Sequence, residues 1–303
     1  MGGSLMFNRD KVWLGITPTV WTNDDFPLLG DEIPFEQCIS EIALAGFQGC
    51  SVGHKFPTDR EELKRQLDLR GLRISEPWAS TYFTMNNMHE RTVEEFRSQI
   101  EFIRDMGGTD IVLAELGHAV HQQPVTPIPN KPVFNDDQWQ AMVEGLNRLG
   151  RMAAEQGMRV CYHHHIGTGV MTRADVDRLM EATDPEAVFL LLDTGHLYWA
   201  GGDPLDMTRA YADRIKHVHL KDIRPDVIER SARDNLSFGE SVLEGVFTVP
   251  GDGAIDFKPI LQVLADQAYE GWLTVEAEQD HHKAHPLTYA MKARAYLRAI
   301  TGL

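Results

Sequence analysis

The chain has 303 residues, 43% of them hydrophobic, which supplies a sizeable core and excludes a disordered composition. With 29 basic against 45 acidic side chains, its net charge of −16 repels nucleic acid and anionic membranes, so neither is expected as a partner. No run approaches the roughly 18 apolar residues of a membrane span, and Cys38, Cys50 and Cys161 form no CxxC pair or disulfide framework, so a reducing, cytoplasmic location is expected.

The leading Met1-Gly2-Gly3-Ser4-Leu5 lacks the parts of a secretion signal and reads as an expression scar. An apolar strand is predicted over 12–16, ending near Thr17-Pro18. Residues 34–45 carry apolar side chains at helical spacing (Phe35, Ile39, Ile42, Ala43), and Gly46 closes that helix. A strand over 49–52 follows, then a polar helix over 58–70, where Thr58 and Glu61 have capping-box spacing. The cycle repeats: strand 72–75 and helix 91–106, stopped by Gly107-Gly108; strand 110–114 and helix 137–156, stopped by Gly157; strand 159–162 and helix 172–182. It continues with strand 188–192 and helix 204–212, strand 215–220 and helix 256–267, strand 271–275 and helix 286–300. Eight strand–helix units predict an α/β chain folded as one (β/α)8 TIM-barrel domain over 1–303. A doubly wound sheet is the lesser reading, since no GxGxxG follows a strand. Two long segments, 117–135 and 224–252, follow strands and are expected to form walls or lids of a pocket.

Asp193, His219 and Glu276 stand at the ends of the sixth, seventh and eighth predicted strands, the face where barrel active sites lie. A strand-end carboxylate can simply cap the next helix, but oxygen and imidazole donors converging there suit a divalent metal with open positions for substrate. The fifth strand ends Tyr162-His163-His164-His165. Alternate residues of a strand share a face. His163 is therefore the expected fourth ligand, His165 its neighbour toward substrate, and His164 is packed between strand and helix. His196 is expected to contact substrate or orient Asp193, and His217 to be a satisfied core histidine. Asp222 is expected to support a ligand imidazole. Glu278 shares a face with Glu276 and reads as an acid/base group or a loop anchor. The second, third and fourth strands end in His54-Lys55, Glu76-Pro77-Trp78 and Glu115. Lys55, Trp78 and Glu115, with His196 and Lys221, are the expected substrate contacts; a Trp suits the apolar face of a sugar ring.

These residues are recognisable together. The chain resembles the xylose-isomerase-like barrel superfamily and, within it, the inosose (2-keto-myo-inositol) dehydratases of inositol catabolism. The resemblance rests on Tyr162-His163-His164-His165-Ile166-Gly167-Thr168-Gly169, on Asp193-Thr194-Gly195-His196-Leu197-Tyr198, and on His217-Val218-His219-Leu220-Lys221-Asp222. It extends through Gly245-Val246-Phe247-Thr248-Val249-Pro250-Gly251-Asp252-Gly253 and Val275-Glu276-Ala277-Glu278-Gln279-Asp280. It covers nearly the whole chain from Val12. The superfamily's usual ligands are Glu, Asp, His and Glu; Asp193, His219 and Glu276 match three, and the first position falls on His163. Superfamily epimerases use two ligand carboxylates as acid and base. One of them is missing here, which fits one-way proton removal and loss of a hydroxyl better than reversible epimerisation.

The resemblance implies a hydro-lyase that takes water from a cyclic polyhydroxy ketone to give a trihydroxycyclohexane-dione. It implies Mn²⁺ or Co²⁺ as Lewis acid, and a glutathione requirement that no residue pattern explains. Glu276, Glu278 or a histidine is the expected base, and His196 or His165 the expected acid. The alternatives are a sugar or hydroxypyruvate isomerase or epimerase of the same fold, an endonuclease-IV-like enzyme disfavoured by the charge, and a non-catalytic polyol-binding barrel. Barrels of this kind often assemble into homo-oligomers, and no helix face here reads as an interface.

Overall fold

The computed structural model describes residues 6–303; the five residues read as a scar lie outside them. In chain order come β1 (Val12–Ile16), α1 (Phe35–Leu44), β2 (Gly49–Cys50), α2 (Arg60–Asp68), β3 (Arg73–Ile74), β4 (Trp78–Thr81), α3 (His89–Asp105), β5 (Asp110–Glu115), α4 (Asp136–Ala154), β6 (Arg159–His163) and α5 (Arg173–Ala182). They are followed by β7 (Val188–Asp193), α6 (Thr194–Trp199), α7 (Pro204–Tyr211), β8 (Ile215–Leu220), β9 (Asp222–Ile223), α8 (Pro225–Arg233), α9 (Phe238–Leu243), β10 (Phe247–Thr248), α10 (Phe257–Asp266), β11 (Gly271–Val275) and α11 (Pro286–Thr301).

The main sheet is parallel, in the order β3-β2-β1-β11-β8-β7-β6-β5-β4. Its two ends are halves of one strand, separated by Ser75-Glu76-Pro77, so the sheet closes on itself through that strand. Ser75 N–H donates to Cys50 O and Val52 N–H to Glu76 O on one side; Val112 N–H donates to Pro77 O on the other. Pro77 has no N–H to offer, and the regular ladder is interrupted there. With the halves counted together, the eight-unit α/β barrel read from the sequence is the fold found.

Helix α1 turns Phe35, Cys38, Ile39 and Ile42 to the core, and Gly46 takes φ +88° just past its end, a left-handed turn that a Cβ would strain. Helix α2 is capped by Asp59, whose side chain accepts from Glu62 N–H, one residue later than the Thr58–Glu61 box expected. Capping boxes also start α4 (Asn135 with Gln138), α5 (Thr172 with Asp175) and α9 (Ser237 with Glu240). The 224–252 segment is not an open loop: it holds α8 and α9, and β10 returns antiparallel to β9. Among the described residues, no helix is long and apolar enough to cross a membrane.

Candidate metal centre and its cavity

Strands β6, β7, β8 and β11 are adjacent and parallel, with Asp193 opposite His219 and Leu220 opposite Val275. Their C-terminal ends bring His163, Asp193, His219 and Glu276 close together although the register staggers them: Asp193 pairs with His219, His163 with Leu191 and His219 with Thr274. Asp193 Oδ2 lies 3.3 Å from His163 Nε2 and 3.7 Å from His219 Nδ1, and His219 Nδ1 lies 3.4 Å from Glu276 Oε2. Asp193 Oδ2 and His219 Nδ1 are buried without a hydrogen-bond partner, an arrangement native interiors rarely leave unexplained. Ligand atoms about 2.1 Å from one metal stand roughly 3.0–3.4 Å apart, so the 3.3 and 3.4 Å spacings fit a shared cation and the 3.7 Å spacing is slightly wide of it. Electrostatics agree. Burial lowers the pKa of His219, but Glu276, Asp193 and Glu76 overcome it and hold the imidazole well above its ordinary value. The point attracts positive charge, and the donor set suits a divalent cation.

By mutual distance alone, the donor atoms within 4.8 Å of one another belong to His163, Asp193, His196 and Glu276, with His196 in the place of His219, which groups with Glu76 and His217. Bonding excludes His196 as a ligand. Its Nδ1 accepts from Ile166 N–H at 3.2 Å and its Nε2 meets Lys221 Nζ at 2.9 Å. The expectation that His196 touches substrate is corrected for the same reason: both ring nitrogens are engaged, and the ring is 1% exposed, tilted against His165 and stacked on Phe238.

Lys221 is also corrected. It is fully buried, and its ammonium sits 2.7 Å from both Glu276 Oε1 and Glu278 Oε2 and 3.6 Å from Asp193 Oδ2. It is an internal counter-charge behind the carboxylates, not a substrate contact. Burial lowers its pKa, but Asp193, Glu276 and Glu278 more than reverse this. The Asp-Thr-Gly-His run is built around it. Thr194 Oγ1 donates to Lys221 O at 2.7 Å, and a Cβ at Gly195 would stand 2.5 Å from Lys221 Cγ. His196 closes the far side.

In front of these groups lies a cavity of about 310 Å³, walled by His163, His165, His219, Glu276, Glu278 and Trp78 together with loop residues from the first half. Trp78 stands edge-on to His163 at 5.7 Å between centroids. His165 Nδ1–H donates to Ile166 O at 2.7 Å, which leaves Nε2 as the basic nitrogen; burial and the neighbouring His121 and His163 lower its pKa well below the ordinary value. Glu278 is pushed up to about 7 by burial and by Glu276, against the pull of Lys221. Among the described residues lining this cavity none is Lys or Arg, whereas Asp24, Asp25, Glu76, Glu276 and Glu278 all contribute.

Three further expectations are corrected. Lys55 points away from the cavity and donates to the carbonyls of Asp31 and Ile33. Asp222 accepts N–H groups from Ile223, Gly251, Gly253 and Ile255 and so moulds the 251–255 turn, without touching an imidazole. Glu115 is fully buried, and its carboxylate clamps the loop after β4: it accepts from Thr81 Oγ1, Phe83 N–H, Thr84 N–H, Thr84 Oγ1 and Gly117 N–H. Glu115→Ala strands those donors in the interior, and urea unfolding is expected to show a loss of about 3–5 kcal/mol. His164 packs as expected, accepting Asp193 N–H at 3.2 Å. His217 is held by Asp110. Asp24, Asp25 and His121 escaped the sequence reading, since loop residues have no periodicity to place them. Glu76 stood at a noted strand end but was given no role.

A model of the family "Xylose isomerase-like TIM barrel" matches residues 29–300. The chain is 52% identical over 299 residues to an inosose dehydratase of Geobacillus thermodenitrificans (strain NG80-2), covering 98% of this chain and 100% of that one. The structure of the probable 3-DHS dehydratase AsbF, involved in petrobactin synthesis, from Bacillus anthracis superposes with TM-score 0.71 at 17% identity, covering 94% of this chain and 98% of that one. The IOLI protein with a binding zinc atom superposes with TM-score 0.69 at 16% identity over 96% of this chain and 98% of that one. At those identities the two structures speak for the fold alone.

Proposed function

The chain belongs to the inosose dehydratases of the xylose isomerase-like TIM-barrel family, and from that premise we propose how its cavity takes water from 2-keto-myo-inositol. It is a hydro-lyase of inositol catabolism. The cavity's charge supports a neutral polyol. Without a Lys or Arg on its wall, and with carboxylates on several sides, it repels phosphorylated or carboxylated analogues.

His163, Asp193, His219 and Glu276 hold the cation, which we assign as Mn²⁺ or Co²⁺ because mixed imidazole and carboxylate donors suit such ions. When bound, it supplies Lewis acidity that stabilises the negative charge developing on a ketone oxygen. Glutathione rests on the resemblance alone, and the described cavity wall offers no Lys or Arg to pair its carboxylates.

The observation that carries the elimination is the pairing of His165 with Glu278, whose donor atoms lie within 4.8 Å of one another. Glu276 is committed, with Oε1 on Lys221 and Oε2 facing His219, so it is a poor base. His165 Nε2 is unprotonated and takes the proton from the carbon beside the ketone. Glu278, whose raised pKa keeps a proton available near neutrality, gives it to the departing hydroxyl, which leaves as water. Trp78 lies along the ring's apolar face. Incubation with 2-keto-myo-inositol is expected to give a product lighter by one water, and prior treatment with a chelator to abolish that change until a divalent cation is restored. A product of unchanged mass supports an isomerase instead, and full turnover in chelator removes the metal from the mechanism.

A further inference from the structure

Barrel interiors are usually filled by branched aliphatic side chains. Here a row of charged groups crosses the interior. Arg159 Nε lies 2.6 Å from Asp110 Oδ1, Asp110 Oδ2 lies 2.8 Å from His217 Nδ1, and His217 Nε2 lies 3.2 Å from Glu76 Oε2. Glu76 Oε1 then lies 3.1 Å from His219 Nε2. Asp110, Glu76 and His217 are at most 2% exposed. Such groups are costly to bury, and an apolar layer of similar volume would hold the barrel together as well.

We propose that Glu76 is a positioning residue that decides which ring nitrogen of His219 faces the metal point, with Arg159 and Asp110 holding it in place through His217. The inference rests on the metal-centre reading above. A carboxylate oxygen only accepts hydrogen bonds, so contact with Glu76 requires the hydrogen of His219 to be on Nε2. Once a cation displaces the second proton of the ring, Nδ1 is the lone pair turned toward Asp193 and Glu276. Without Glu76 the balance reverses. Glu276 Oε2 and Asp193 Oδ2, at 3.4 and 3.7 Å, would draw the hydrogen to Nδ1, and the ring would present N–H where a cation needs a lone pair. Carboxylates on both sides compete for one hydrogen, and Glu76, by holding Nε2–H, keeps the other nitrogen free.

The test uses the whole chain. Equilibrium dialysis measures Mn²⁺ affinity, without substrate, for the parent, Glu76→Gln and Glu76→Ala. Imidazole nitrogen NMR of the Zn²⁺-loaded parent reads which His219 nitrogen is coordinated. The expected result is coordination through Nδ1 with hydrogen on Nε2. Mn²⁺ affinity is expected to fall about 10–100-fold in Glu76→Ala and to stay within a few-fold of the parent in Glu76→Gln, whose amide oxygen still accepts. Unchanged affinity in Glu76→Ala, or coordination of the parent through His219 Nε2, overturns the proposal alone; the second reading needs no variant to fold. A parent that binds neither ion, or Asp193→Ala binding as the parent does, overturns the metal centre and the proposal with it.

Discussion

Asp193→Ala is expected to leave a barrel that no longer retains a divalent cation and turns over 2-keto-myo-inositol at least about 10³-fold more slowly, the loss of roughly 4 kcal/mol of transition-state stabilisation. The two carboxylate oxygens have separate tasks. Oδ1 accepts His196 N–H at 2.8 Å and starts α6. Oδ2 has no hydrogen-bond partner and faces His163 and His219. Asp193→Asn separates the tasks: its amide oxygen still caps α6, while its charge and its second acceptor are gone. Metal content after dialysis, set beside turnover and circular dichroism, is expected to show a folded, metal-poor, inactive Asn variant. An Ala variant that holds metal stoichiometrically and works at the parent rate would remove Asp193 from the centre.

The second large effect is on stability. Lys221→Met removes a buried ammonium from between Glu276 and Glu278 and leaves both carboxylates, with Asp193 nearby, short of positive charge. In metal-free protein this is expected to cost about 3–5 kcal/mol, the usual penalty for breaking a buried ion pair from one side. Saturating Mn²⁺ is expected to recover part of that loss, because a cation at the centre neutralises Asp193 and Glu276 from the other side. Denaturant unfolding with chelator and with Mn²⁺ measures both. Equal stability of parent and variant in chelator would mean that Lys221 carries no net charge there.

Local pattern was enough for much of this architecture. Strands β1, β8 and β11 run over the residues that apolar runs marked, and α4 and α11 lie within two residues of their expected bounds, because side-chain periodicity is a property of the chain segment itself. The face each strand residue takes was equally legible, because alternate residues of a strand share a face: His163 pairs with Leu191, two residues before Asp193, Asp193 pairs with His219, and His219 pairs with Thr274, two residues before Glu276. Reach and company were not. Glu115 ends β5 and Lys55 follows β2 by five residues, yet Lys55 folds back onto loop carbonyls and Glu115 is consumed by donors from the loop after β4. The 224–252 segment lacked a long period because its helices are short.

The sequence by itself determined the barrel, the end at which chemistry collects and the strand-end donors directed there. Only the tertiary structure decided which donors are free. Lys221 meets Glu278 across 57 positions, and His219 meets Glu76 across 143. Which nitrogen holds a hydrogen, and whether an ammonium reaches substrate or sinks between carboxylates, is set by groups that come together only when the barrel closes. Hydrogen bonds and ion pairs act over a few ångströms of space, and distance along the chain does not reveal that proximity.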